Sequence, residues 1–192
     1  MASTAYEEWA GVRQARLAAL YRASAAARAP DVAEQLAWAA VLRLAAEFQG
    51  FVRDLHDNTA DALVDHLGGP PEVAQAVRAA VTSQRRLETG NATREAITHD
   101  FGRFRLHVVD RVVTRHPGSA RWLDTLRVVQ LTRNGIAHAQ PTKVAAAIGP
   151  DPLLIEQVRH WHATLRELAA ALDAETRNEV ARLTGGDPPW EP

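Results

Sequence analysis

Apolar positions along this chain return mostly at three- and four-residue steps, and no stretch sustains the two-residue alternation of a strand. The clearest run is Leu36, Val41, Leu44, Phe48, Phe51, Val52, Leu55, Ala62 and Leu63. It predicts a very long helix, capped by Asp31 with Glu34 three residues on and ended by Gly68-Gly69-Pro70-Pro71. Upstream, Thr4 and Glu7 have capping-box spacing and predict a first helix to about Arg28, which Pro30 stops. Downstream, helices are predicted from Pro71 to Leu87 and from about Thr93 to Arg115, separated by the loop "ETGNATRE". "RHPGS" breaks the pattern, and Ser119 caps a helix carrying Trp122, Leu123, Leu126 and Val129. "QPTK" and "GPDP" precede a last helix from about Pro152 to Leu183, with Leu154, Val158, Trp161, Leu165, Leu168, Leu172 and Val180. The expected fold is all-α: a bundle of about five to six helices in one domain over residues 1–184, with its core at 31–183 and a flexible tail at 185–192.

Composition narrows the chemistry. The 192 residues contain no cysteine, which removes disulfides, thiolate metal sites and a cysteine nucleophile. No apolar run reaches the roughly 20 residues that span a bilayer, so no membrane partner is expected. The opening "MASTAYEEWAGVRQ" has no basic start leading into an apolar stretch, so a cytoplasmic address is the expectation. A net charge of −1 hides an uneven distribution: residues 78–134 hold eleven arginines against five acids, a net of +6, leaving −7 elsewhere. A basic middle between acidic ends can accommodate a polyanion, although arginines also serve as solvated helix faces.

One stretch, "QLTRNGIAHAQ" at residues 130–140, gathers a cation, an amide, a glycine and an imidazole in six residues. RNA cleavage without metal needs three things: a base for the ribose 2′-OH, a cation for the phosphoryl oxygens, and an acid for the leaving 5′ oxygen. His138 suits the proton work, Arg133 offers a forked cation matched to phosphate, and Asn134 can bond the phosphate or orient the imidazole. Gly135 either admits RNA or another subunit close to the backbone or kinks the helix. On a continuous helix Arg133 and His138 diverge by about 140°. Either the helix distorts at Gly135, or the two side chains line a cleft completed by a second subunit. A site with one histidine has one proton carrier, and two copies across a twofold axis supply two. The plainer alternative pairs Arg133 with an acid and leaves His138 as a helix-end residue favoured by the dipole.

"LTRNGIAHA" resembles the signature of the HEPN superfamily: Arg, a polar residue, then His, following an apolar helix late in a small all-α domain. The long helix "WAAVLRLAAEFQGFVRDLHDNTADAL" is similar to the early helix of that family, with closest likeness to the RiboL-PSP-HEPN group. The resemblance spans about residues 31–183 and leaves the first helix unplaced. It implies a metal- and cofactor-independent endoribonuclease that works as a homodimer, often a bacterial toxin or antiphage effector held by an antitoxin or awaiting an activator. On that likeness Arg133 stabilises the phosphate, His138 transfers protons and Asn134 is the polar companion. The implied products carry 2′,3′-cyclic phosphate and 5′-OH ends. Glu47 and Asp54, seven apart on the long helix, become the acids expected to orient Arg133. Arg85, Arg86, Arg103 and Arg127 in the basic segment become the expected RNA path. Some family toxins carry a modifiable tyrosine two residues after the histidine; here Gln140 stands there, which puts that route of silencing in doubt.

Two other constellations compete. His66, His99-Asp100 and Asp124 or Asp151 follow the order of HD-type phosphohydrolases, which hold a divalent ion, but His56-Asp57 repeats the dipeptide and shows how cheap it is. His160 and His162, two apart, fall on different helix faces and make a poor zinc pair. Trp38, Trp122 and Trp161 are spaced as core or interface anchors, with base stacking the less favoured role. From a different class comes a catalytically silent helical dimer acting as adaptor or antitoxin, in which Arg133 and His138 would tolerate substitution.

Overall fold

The computed structural model describes residues 2–187, 189 and 190. Among these the chain is all-α, 80% helical, with no strand. The first helix, α1, runs through Thr4–Glu8, a π-helical turn Trp9–Arg13 and Gln14–Ala26. There follow α2 (Pro30–Leu67), α3 (Pro71–Thr82), α4 (Arg86–Thr89), α5 (Arg94–Gly102) and α6 (Val108–Arg115). The C-terminal part is α7 (Ser119–Ala137), α8 (Pro141–Ile148) and α9 (Ile155–Thr184). No described helix is long and apolar enough to cross a membrane.

The bundle is organised by α2 and α9, which pack on each other and on α1 and α7. The stripe foreseen on α2 is its core face: Val41, Leu44, Phe48, Phe51, Val52 and Leu55 are all fully buried. α9 answers with Val158, Trp161, Leu165, Leu168, Leu172 and Val180, also buried. Leu154, foreseen in that stripe, is instead the exposed residue before α9, and Leu153 is buried in its place. α1 is part of this core and not an appendage: Trp9 meets Phe48 edge-to-face at 5.7 Å, and Leu17 is fully buried. On the other side of α9, Glu175 and Glu179 bind Arg115 and Arg111 of α6, each at 2.9 Å.

Most departures from the expected helices lie at their ends. Ser3 caps α1 in place of Thr4, its Oγ accepting from the Tyr6 amide. Pro30 opens α2 at its first turn, where its missing N–H costs nothing, and Asp31 sits inside that turn. Thr93 caps α5, accepting from the Ala96 amide at 3.2 Å, whereas Ser119, expected as a cap, is the first residue inside α7 after Gly118. Two expected helices are broken. Residues 71–87 divide where Gln84 turns to φ 53°, and residues 93–115 divide where Arg105 takes φ 60° between the buried Phe104 and Leu106. Burying both flanking side chains outweighs the local cost of that turn. The tail expected at 185–192 falls partly on residues 188, 191 and 192, outside the described residues; Gly185 caps α9 with φ 65°, and Trp190 lies half-buried against the core.

Candidate functional site

The residues of the motif lie on the last two turns of α7, and the core dictates their orientation. Leu126, Val129, Gln130 and Thr132 are buried, which turns Arg133 and Asn134 to the half-buried flank. Gly135 is no kink, since α7 continues unbroken to Ala137. Its role is close approach: a Cβ there would stand 2.7 Å from Val144 Cγ2 and 3.1 Å from the Val144 amide nitrogen, so only glycine lets α8 dock on α7. The helix then ends in a Schellman motif, with the Gln140 amide donating to the Gly135 carbonyl at 2.8 Å and the Ala139 amide to Ile136 at 3.1 Å. The left-handed position is Ala139, φ 50°, where glycine would sit without a Cβ penalty. Ala139→Gly is therefore expected to raise unfolding free energy by about 1 kcal/mol, measured by urea titration; an unchanged or lower stability would count against this account of the helix end.

The same turn fixes the polar groups. Gln49 of α2 donates through Nε2 to the carbonyls of Leu87 and Gly90, at 2.8 and 2.7 Å, and so pins the loop before α5. The next residue, Asn91, donates to Asn134 Oδ1 at 2.7 Å, and Arg133 Nη1 donates to the same oxygen at 3.1 Å. Asn134 is thus held as a hinge-pin between the loop and Arg133, with its Nδ2 left over. Among the described residues, no carboxylate lies within 4.0 Å of the Arg133 guanidinium. His138 is the C-cap of α7, exposed, and makes no side-chain hydrogen bond to a described residue. Sequence reading missed Asn91; its only signal was a polar residue after glycine in a loop.

The acids expected to orient Arg133 have another partner. Glu47 binds Arg13 Nη1 at 2.9 Å, and Asp54 binds Arg13 Nη2 at 2.5 Å. Arg16 and Arg43 add to Glu47 at 3.3 and 2.5 Å. The π turn of α1 delivers Arg13, and Gly50 makes room for it, since a Cβ there would fall 2.3 Å from Arg13 Nη1. Both acids face α1, and neither is bound to Arg133.

The proposed RNA path also changes. Arg85 is 5% exposed and engaged with Asp57 at 2.7 Å and Glu88 at 2.8 Å, so it is an interior strut and leaves the path. Arg103 closes the end of α3, donating to the carbonyls of Ser83 and Ala80, both at 2.6 Å. Arg127 is exposed and paired with Asp124 at 2.7 Å. Arg86 is exposed and its guanidinium carries no ion pair among the described residues.

The His-Asp dipeptides do converge, but as structure. His56 is fully buried, with Nε2 against the Asp100 carbonyl at 3.2 Å and Nδ1 facing Arg85 Nη1 at 3.3 Å. Burial, aided by the Arg85 charge, lowers His56 to about 4. Burial alone would raise Asp100, but bonds from His99 and the amides of Leu87 and Arg86 outweigh it and hold the carboxylate below its usual range. A guanidinium against the imidazole is the wrong neighbour for a cation, and among the described residues no three His, Asp or Glu side chains form a ligand set. His162 is buried against the Tyr21 hydroxyl at 3.0 Å while His160 is exposed, on different faces as expected. Of the tryptophans, Trp161 is buried, and Trp38 and Trp122 are half-buried against the core.

Beside Asn134 lies a cleft of about 550 Å³ between α7 and the start of α5. Leu123, Leu126 and Leu131 of α7 and Val113 of α6 wall it; Gln130 and Asn134 interrupt the apolar lining, and two arginines, Arg94 and Arg127, and two acids, Glu95 and Asp124, also line it. Comparison with family models, with curated proteins and with solved structures finds no match for this chain.

Proposed function

We propose that this chain is a metal-independent endoribonuclease of the HEPN type, acting as a homodimer. One observation carries the reading. At the end of α7 stands a half-buried arginine with no carboxylate partner among the described residues, held by an amide, five residues before an exposed histidine whose side chain makes no hydrogen bond to a described residue. A structural arginine this deep is ordinarily paired, as Arg13 and Arg85 are here. An unpaired one is poised for an external anion, and phosphate fits its fork.

Because α7 is unbroken to Ala137 with His138 as its C-cap, Arg133 and His138 of one chain point apart, by about 140° on an ideal helix. A twofold pairing of helix ends resolves this by bringing two arginines and two histidines to one phosphate. One imidazole then takes the 2′-OH proton as O2′ attacks phosphorus. The P–O5′ bond breaks, and the second, protonated imidazole gives its proton to O5′. The products are a 2′,3′-cyclic phosphate and a 5′-OH, with the arginines balancing charge on the non-bridging oxygens. A role as toxin or antiphage effector, with an antitoxin or activating partner, fits such an activity.

His138→Ala is expected to lower cleavage by at least about 100-fold, the usual scale of lost general acid–base catalysis. Its melting temperature should stay at the wild-type value, since the side chain is exposed and hydrogen-bonds to no described residue. Cleavage rates and thermal unfolding on the same preparation check this. A variant that unfolds more easily and cleaves as well as wild type per folded molecule would return His138 to a helix-capping role.

A further inference from the structure

The chemistry assigned to Arg133 and His138 leaves the cleft beside Asn134 unused. Its volume, about 550 Å³, falls in the range of small-molecule pockets. Two amides one turn apart on α7 interrupt its apolar walls. Asn134 Oδ1 already accepts from Asn91 and Arg133, and Nδ2 donates to no described residue. Gln130 is 4% exposed, and its Oε1 has no hydrogen-bond partner among the described residues. Its Nε2 reaches the Ala92 carbonyl only at 3.4 Å, so the side chain is lightly held and can turn its acceptor to a donor in the cleft.

A slot of this kind selects its occupant. An alkyl chain, or an apolar side chain from a second copy, would fill it and leave both amides unsatisfied, a cost proteins avoid. A flat heteroaromatic ring bearing both a donor and an acceptor fills the apolar space and meets both amides. Of the charged residues lining the cleft, Arg127 is paired with Asp124, and Arg94, next to Glu95, carries no ion pair among the described residues; with Arg133, which lies outside the lining but bonds Asn134, Arg94 supplies charge for an attached phosphate. We propose that this cleft is a subsite for one unpaired nucleobase, carried by an RNA strand or by a free nucleotide. Where the base comes from an RNA strand, the subsite rests on the nuclease reading and would set which nucleotide flanks the cut.

The test is binding, read separately from cleavage. Labelled full-length protein is titrated with the four 3′-mononucleotides, with ribose 5-phosphate and with single-stranded hexanucleotides, while the side-chain amide resonances of Gln130 and Asn134 are followed. One or two nucleotides should shift both resonances and bind at least tenfold tighter than ribose 5-phosphate. Gln130→Leu, which keeps the volume and removes the acceptor, should weaken that binding at least tenfold. A hexanucleotide binding tenfold tighter than its mononucleotide marks a strand as the source; equal affinity marks a free nucleotide. Equal binding of all four nucleotides and ribose 5-phosphate would reduce the site to a phosphate contact and overturn the proposal. So would absence of binding together with a dimer that Leu131→Glu dissociates, because the second copy would then cover the cleft. Base-selective binding without any RNA cleavage would keep the subsite and remove the nuclease reading; cleavage without base-selective binding would do the reverse.

Discussion

Lowering the pH from 7 to 4 is expected to cost this protein about 5 kcal/mol of unfolding free energy, through two histidines that burial holds at about 4. His56 is enclosed by Phe101 and Phe104, with Arg85, Asp57 and the Asp100 carbonyl as its polar neighbours. His162 lies against Trp9 and Tyr21, and burial, then the Arg166 charge, lowers it. Above the unfolded value of 6.5 both states leave these imidazoles neutral, and they contribute no pH dependence. Between 6.5 and about 4 the unfolded chain takes up protons that the native state refuses, so stability falls as the pH falls. Each histidine could contribute about 3 kcal/mol over that window. Asp54 and Asp173, which burial raises, act in the opposite sense and trim the total. Urea unfolding at a series of pH values should show uptake approaching two protons per molecule near pH 5. A flat profile from pH 7 to 4.5 would show that one or both imidazoles reach water in the native state.

Glu47→Ala is expected to destabilise the fold by about 3 kcal/mol, the scale of breaking a buried ion pair from one side. Glu47 is 3% exposed and is the shared acceptor for Arg13, Arg16 and Arg43; without it Arg13 keeps Asp54 but loses its deepest contact. Because Glu47 holds α1 to α2 and is not bound to Arg133, cleavage per folded molecule should change less than twofold. Arg13→Ala with Glu47→Ala should cost less than the sum of the two single changes, since the pair is removed together. Lost activity at unchanged stability would instead restore Glu47 as a residue that acts on the site.

The long helices were legible because each has a buried stripe repeated over many turns. Leu44, Phe48, Phe51 and Leu55 on α2, and Leu165, Leu168 and Leu172 on α9, declare their faces without knowledge of the partner. α8 was not legible: eight residues between two proline-bearing breaks, three of them alanine, with Val144 alone buried, carry too little pattern. Nor was the break at Arg105, where the gain comes from long-range burial of Phe104 and Leu106 and nothing local requires a positive φ. At the candidate site, the run of Arg133, Asn134 and His138 stood out in the sequence, while the contacts that hold Asn134 did not. Asn91 lies 43 residues from Asn134, and Arg13 lies 34 and 41 residues from the two acids it binds. Such pairings are made by packing α1 on α2 and the α5 loop on α7, which only the folded chain specifies. Arg85 misled for the same reason: a run of arginines looks like a basic surface until one of them is found inside.

Cleavage of RNA by Arg133 and His138 without metal, as proposed above, is open to a direct measurement. Purified protein is incubated with a mixed RNA pool in excess EDTA, beside the Arg133→Ala/His138→Ala double variant at matched folded concentration. Fragments with 2′,3′-cyclic phosphate and 5′-OH ends are expected from the wild type alone. Cleavage that appears only on adding a divalent metal, or that persists undiminished in the double variant, would contradict it.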